Sequence, residues 1–150
     1  MIRQRKPIQR GKPPKRKSAH QSLVEEADSW VREIAWKRQG GCLAWLNPPE
    51  RVTMRCGGSC QGAHILRKGG QYNAIRFHED NVVGMCSHHH IMWAHQNEHD
   101  FYVWIEKLFP GRIERLKQIA RESSGKIDHK ELICVLKSIH RLLPDAPVVS

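Results

Sequence analysis

Between Cys56 and His95 the chain reads CGGSCQGAHILRKGGQYNAIRFHEDNVVGMCSHHHIMWAH. Cysteine and histidine at this density constrain the fold more tightly than any apolar pattern nearby. Thiolates and imidazoles presented in pairs, two to four residues apart, bind zinc tetrahedrally. A short hairpin with few apolar residues draws much of its stability from such a metal. Cys56-x3-Cys60 and Cys86-x2-His89 are two pairs with that spacing, and Cys42 is a fifth candidate that can replace Cys56 or Cys60. The fifth cysteine, Cys134, falls on the apolar face of a C-terminal helix and is assigned to the core. An odd number of cysteines, many histidines and the lack of an apolar leader argue against a disulfide framework. They favour zinc in a reducing, cytoplasmic setting.

The elements around this run follow from periodicity. Ser22-Leu-Val-Glu25 has the form of a capping box. Behind it Leu23, Ala27, Trp30, Val31, Ile34 and Ala35 recur at helical spacing, predicting a helix over 22–38 that ends at Gly40-Gly41. Ala63–Leu66 and Ala74–Phe77 read as two strands, a hairpin over 62–78 turning at Arg67-Lys68-Gly69-Gly70. A short helix is expected from His88 through Trp93. Further helices are expected from Asp100, from Ile113 to about 122, and from Asp128, where Leu132, Val135, Leu136, Ile139 and Leu143 point inward. The tryptophans fall on helix faces and read as core. The fold class is therefore α+β: a small zinc-stabilised β unit at the centre, flanked by several α-helices.

The net charge of +10 points to a polyanion. It is concentrated at one end. Residues 1–17 carry Arg3, Arg5, Lys6, Arg10, Lys12, Lys15, Arg16 and Lys17 with no acid, which leaves 17 of the 25 cations against all 15 acids in the remainder. This proline-bearing stretch, residues 1–20, cannot bury enough apolar surface to order itself and reads as a disordered basic arm. Its partner is nucleic acid, bound through counterion release. No apolar run approaches the roughly 18 residues of a membrane span, so no membrane partner is expected. The apolar helices over 100–143 offer a face on which two copies can pair.

Two residue groups carry candidate chemistry. His64 lies on an apolar strand beside Arg67 and Lys68, and an imidazole takes a proton from water near neutral pH. Hydrolysis of a phosphodiester needs that base and a cation to stabilise developing charge. His90 can supply an imidazole to the cation, with His95 as a second candidate, and such ligands admit Mg²⁺, Mn²⁺ or Ni²⁺ as well as Zn²⁺. His89 and His90 project about 100° apart on a helix, so one can face zinc and the other the active site. His90 and His95, five apart, do not share a face of an α-helix. Arg67, Lys68 and Arg76 are candidate phosphate contacts, Arg76 because on a strand it points away from Ile75 and Phe77.

The order AHIL, HEDN, Cys-x-x-His-His and Trp-x-His resembles the HNH, or ββα-metal, endonuclease motif, and is most similar to phage-type members such as the NinG/Rap recombination group. The similarity spans about 42–110, giving an expected HNH nuclease domain over 21–110 and a helical extension over 111–145. The resemblance implies that His64 is the general base, that Asn81 holds the loop that orients His64, and that His90 is the metal ligand of the last motif. Cys86 and His89 would then form the second zinc pair. It implies a DNA endonuclease leaving 5′-phosphate and 3′-hydroxyl ends, in recombination, repair or genome processing. Ala63 stands where many members carry an Asp or His ligand. A non-catalytic zinc-stabilised DNA-binding module shares the zinc pairs and the arm, so only His64, Asn81 and His90 separate the two readings.

Overall fold

The computed structural model describes residues 17–123 and 126–144. The expected basic arm lies outside them as far as residue 16.

The first helix, α1, spans Ala19–Gln39 and starts earlier than Ser22-Leu-Val-Glu25 suggests. Ser18 caps it instead. Its hydroxyl accepts from the Gln21 N–H at 3.1 Å, and the Gln21 side chain accepts from the Ser18 N–H at 3.0 Å. Ser18-x-x-Gln21 fits the same capping pattern and adds one turn. Gly40 ends the helix in the left-handed conformation (φ 73°), its N–H donating to the Trp36 carbonyl, where glycine carries no Cβ penalty. A single turn, α2 (Leu43–Leu46), follows.

The sheet has two antiparallel strands, β1 (Cys60–His64) and β2 (Val82–Cys86), with Cys60 opposite Cys86 and His64 opposite Val82. The hairpin expected over 62–78 is therefore replaced by a wider one. Ala74–Phe77 is not a strand: Gly70–Ile75 forms a 3₁₀ segment, and Ile75 and Phe77 drop into the two cores. The true partner is the run Val82–Cys86, buried at every position. A strand covered on both faces loses the polar alternation by which strands are usually read.

α1 lies directly on this sheet because two glycines face each other across it. A Cβ on Gly84 would sit 3.0 Å from the Trp36 ring, and one on Gly62 would sit 3.2 Å from Arg32 Cβ. Trp36 Nε1 donates to the Gln61 carbonyl at 2.9 Å, and the Gly84 N–H donates to the Gln39 side chain at 2.8 Å.

After β2 come a π-helix, His88–Ala94, then α3 (Glu98–Leu108), α4 (Arg112–Glu122) and α5 (His129–Leu142). One core joins the sheet to Trp93, Phe101, Trp104, Ile105 and Leu116. A second lies between α1 and α5, where Ala27, Val31, Ile34 and Ala35 meet Ile133 and Leu136. The C-terminal helices thus contribute to both. Cys134 is exposed, not buried, and Val135 is half exposed. α5 turns the side of Ile133 and Leu136 to α1, which leaves the next positions round the helix in solvent. Trp45 is likewise exposed, unlike Trp93 and Trp104. Among the described residues no helix is long and apolar enough to cross a membrane.

Candidate metal centre and active-site cleft

The sheet ends in a sulfur-rich knot. Cys42 precedes α2, Cys56 lies in the loop before β1, Cys86 closes β2 and His89 opens the π-helix. Their ligand atoms all lie within 4.8 Å of one another. His89 Nδ1 is 3.1 Å from the Cys86 sulfur, 3.4 Å from that of Cys42 and 3.6 Å from that of Cys56. Tetrahedral zinc with its usual bond lengths separates nitrogen and sulfur ligands by roughly 3.5 Å, so the spacing of the set suits that ion. The other ring nitrogen, Nε2, is 3.1 Å from the Met54 carbonyl. A carbonyl only accepts, so Nε2 carries the proton and Nδ1 is free for metal, the outer-shell arrangement common at zinc histidines. The Cys86 N–H donates to the Cys42 sulfur at 3.3 Å.

The thiols themselves ask for a cation. Burial, and then the Cys42 and Cys86 sulfurs, push the Cys56 thiol up to about 12. Burial also opposes ionisation of Cys86, but the backbone N–H groups of His89 and Gly57 help bring it down to about 6. Three sulfurs and an imidazole nitrogen held this close are a donor set that suits a divalent cation, which binds thiols in their deprotonated form. This Cys₃His cluster can bind zinc. Cys60, expected in the set, lies exposed at the start of β1 and outside the cluster; Cys42, the alternative, takes the fourth place. Its Cys56-x3-Cys60 spacing had the right length, but β1 begins at Cys60 and carries that side chain away.

The second site is an open cleft of about 510 Å³ against Gly62–Ile65, into which His64, His90, His95, Arg67, Lys68, Glu98 and Tyr102 converge. His64 Nε2 lies 3.0 Å from the Arg76 carbonyl, so it is the protonated nitrogen and Nδ1 is left to accept. Burial, and then the Lys68 ammonium, push His64 down to about 4. His90 Nδ1 donates to the Gln61 side-chain oxygen at 2.6 Å, leaving Nε2 free. Burial, then His95 and Lys68, bring His90 to about 4 as well. Both imidazoles are neutral at neutral pH, the form that accepts a proton or a metal.

His90 and His95 do meet, against the expectation from α-helical geometry. The π-helix closes i→i+5 bonds, here from the His95 N–H to the His90 carbonyl at 3.0 Å, and residues five apart then share a face. The two rings lie edge to face, 4.4 Å between centroids.

Asn81 is fully buried and acts as a substitute strand residue. Its Oδ1 accepts from the Leu66 N–H at 2.8 Å, and its Nδ2 donates to the Leu66 and Ile75 carbonyls, both at 3.2 Å. The 17-residue return between the strands is thereby tied at both ends of its turn.

The three candidate phosphate contacts are all paired. Arg67 meets Glu98 at 2.7 Å and Lys68 meets Asp28 at 3.1 Å. Arg76 is not on a strand. It makes a two-point contact with Asp28, Nε to Oδ1 at 3.1 Å and Nη2 to Oδ2 at 2.6 Å. The residues that sequence reasoning missed are Asp28, Gln61, Glu98 and Tyr102, none of which carries a local motif. The Tyr102 hydroxyl donates to Glu98 at 3.0 Å.

No protein-family model matches the chain, and no curated protein or solved structure matches it either.

Proposed function

We propose that the chain is a metal-dependent DNA endonuclease built on an HNH-type ββα unit. The observation that carries the reading is the convergence of His64, His90 and His95, two of them neutral and each with one nitrogen uncommitted, in one cation-bordered cleft. His64 Nδ1 takes the proton of the attacking water while its Nε2–H stays on the Arg76 carbonyl. Asn81 keeps the loop that supplies this carbonyl in place. His90 and His95 would hold a divalent cation, Mg²⁺, Mn²⁺ or Ni²⁺. When bound, such an ion supplies the charge that stabilises the crowded phosphate and the departing 3′ oxygen. The products carry 5′-phosphate and 3′-hydroxyl ends.

Arg67 and Lys68 are the cations placed to receive phosphate. The Arg67–Glu98 pair is exposed, and such pairs contribute about 0–1 kcal/mol, so trading Glu98 for a phosphate costs little. Arg76 is held at two points and half-buried, and remains on Asp28. The basic arm adds non-specific affinity for DNA. The knot of Cys42, Cys56, Cys86 and His89 holds structural zinc.

The competing reading, a non-catalytic zinc-stabilised DNA-binding module, draws on Ala63. It is buried and offers no ligand, and among the described residues no third His, Cys, Asp or Glu joins His90 and His95 in a ready-made cluster. A cleavage panel separates the two: linear, flap and four-way-junction DNA with Mg²⁺, Mn²⁺ or Ni²⁺, and His64→Ala as control. The nuclease reading expects metal-dependent cuts that His64→Ala abolishes while DNA binding survives. Binding without cleavage by the wild type under every metal selects the binding module.

A further inference from the structure

The base of the proposed nuclease is oriented from outside the ββα unit. His64 is fixed by one bond to the protein, from Nε2 to the Arg76 carbonyl at 3.0 Å. That carbonyl belongs to the residue just after the Gly70–Ile75 segment, in a long connection between strands. Asn81 fixes the connection at Leu66 and at Ile75, but makes no bond to Arg76 itself. Arg76 is anchored at its N–H, which donates to the Asn73 carbonyl at 3.2 Å, and through its side chain. Its guanidinium forms a two-point contact with Asp28, in the third turn of α1, a geometry that fixes orientation as well as distance. Both partners are shielded, at 24 % and 21 % side-chain exposure, unlike the exposed Arg67–Glu98 pair across the cleft. α1 is in turn locked to the sheet by the Trp36 and Gln39 bonds and the glycine contacts. A rigid path therefore runs from the helix through Asp28 and Arg76 to the imidazole.

Asp28 has a second ligand. Its Oδ2 also receives the Lys68 ammonium at 3.1 Å, and Lys68 borders the cleft. Burial works against ionisation of Asp28, but Arg76 and Lys68 outweigh it and hold the carboxyl below its ordinary range. One carboxylate thus sets both the base and a phosphate-facing cation.

We infer that Asp28 is a positioning residue for the reaction: through Arg76 it fixes the ring orientation and Nε2–H tautomer of His64, and directly it holds Lys68 at the cleft. This rests on the nuclease reading for its catalytic consequence, but not for its geometry. A base displaced by a fraction of an ångström leaves its attack geometry, and such misplacement lowers turnover without removing substrate affinity.

The test uses the full-length, zinc-loaded protein with Asp28→Asn and, as a second variant, Arg76→Lys, which keeps the charge and loses the fork. Long-range ¹H–¹⁵N spectra of the His64 ring read its tautomer, zinc content and thermal melting read the fold, and cleavage gives kcat and KM. The wild type should show one Nε2–H tautomer. Both variants should show an averaged pair of ring nitrogens, one zinc per chain, a kcat lower by roughly tenfold or more, and a KM changed by less. An unchanged His64 pattern in both folded variants overturns the inference, whatever cleavage does. If the pattern shifts in the variants but the wild type cuts no DNA under any metal, the nuclease reading fails while Asp28 still orients His64.

Discussion

His89 is 2 % exposed and has both ring nitrogens committed, whereas His90, the next residue, keeps one nitrogen free in an open cleft. The difference lies in which nitrogen each gives to the protein. His89 donates Nε2–H to the Met54 carbonyl and offers Nδ1 to three sulfurs. His90 donates Nδ1–H to Gln61 and offers Nε2 to the cleft. The helix turns one imidazole into the knot and the adjacent one out of it, and hydrogen bonds choose the tautomer in each case. The knot draws all four of its candidate ligands from the chain, three of them buried and Cys56 exposed. The cleft is open and bordered by Arg67 and Lys68. Under the nuclease proposal, stability and chemistry are therefore separated by one residue, and perturbation of each should show it.

The largest effect belongs to the knot. Binding free energies of structural zinc run to about 10–16 kcal/mol. Stripping the metal with a strong chelator should abolish the near-ultraviolet dichroism and the cooperative melt, and readdition of zinc should restore both. Asn81→Ala comes next, because it leaves the Leu66 N–H and carbonyl without the Asn81 partner, while the Ile75 carbonyl keeps the His78 N–H. At about 1–3 kcal/mol for each lost group, urea melts should show a loss of about 2 kcal/mol or more.

A smaller effect is the pH dependence contributed by His64. Burial holds its folded pKa at about 4, against an ordinary 6.5. Between these values the unfolded chain binds a proton that the folded chain does not, so stability rises with pH across that window and levels off above it. Urea melts through the window should show a shallower slope for His64→Gln than for the wild type. Acid also releases zinc in both proteins, which is why the difference between them is the readout. The smallest effect is Cys60→Ser. The side chain is exposed and outside the cluster, so melting should shift by less than about 0.5 kcal/mol, with one zinc still bound.

The parts of this molecule that were legible in the sequence are those governed by local rules. Ligand spacing brought out Cys86 and His89, periodicity marked α3 and α4, and capping marked the start of α5 at Asp128, whose carboxylate accepts from the Lys130 and Glu131 N–H groups; α3 itself begins at Glu98 behind Asn97, so Asp100 lies in its first turn and is not the cap expected. What was not legible depends on contacts made across the chain. β2 has no alternation because α1 covers one face and the main core the other. Cys42 joins the knot and Cys60 leaves it because of where β1 begins. His90 and His95 share a face only because the helix there is a π-helix, which their α-helical spacing cannot announce. Asp28 sits in an ordinary amphipathic helix, and its two cationic partners lie 40 and 48 residues away.

The most direct measurement is a paired comparison of His89→Ala and His90→Ala, scored for zinc per chain by atomic spectroscopy and for metal-dependent DNA cleavage. Two sites one residue apart predict that His89→Ala loses zinc and the fold, while His90→Ala keeps one zinc and a cooperative melt but loses cleavage. Loss of zinc by His90→Ala, or cleavage by it at the wild-type rate and with the same metal titration, would contradict the division.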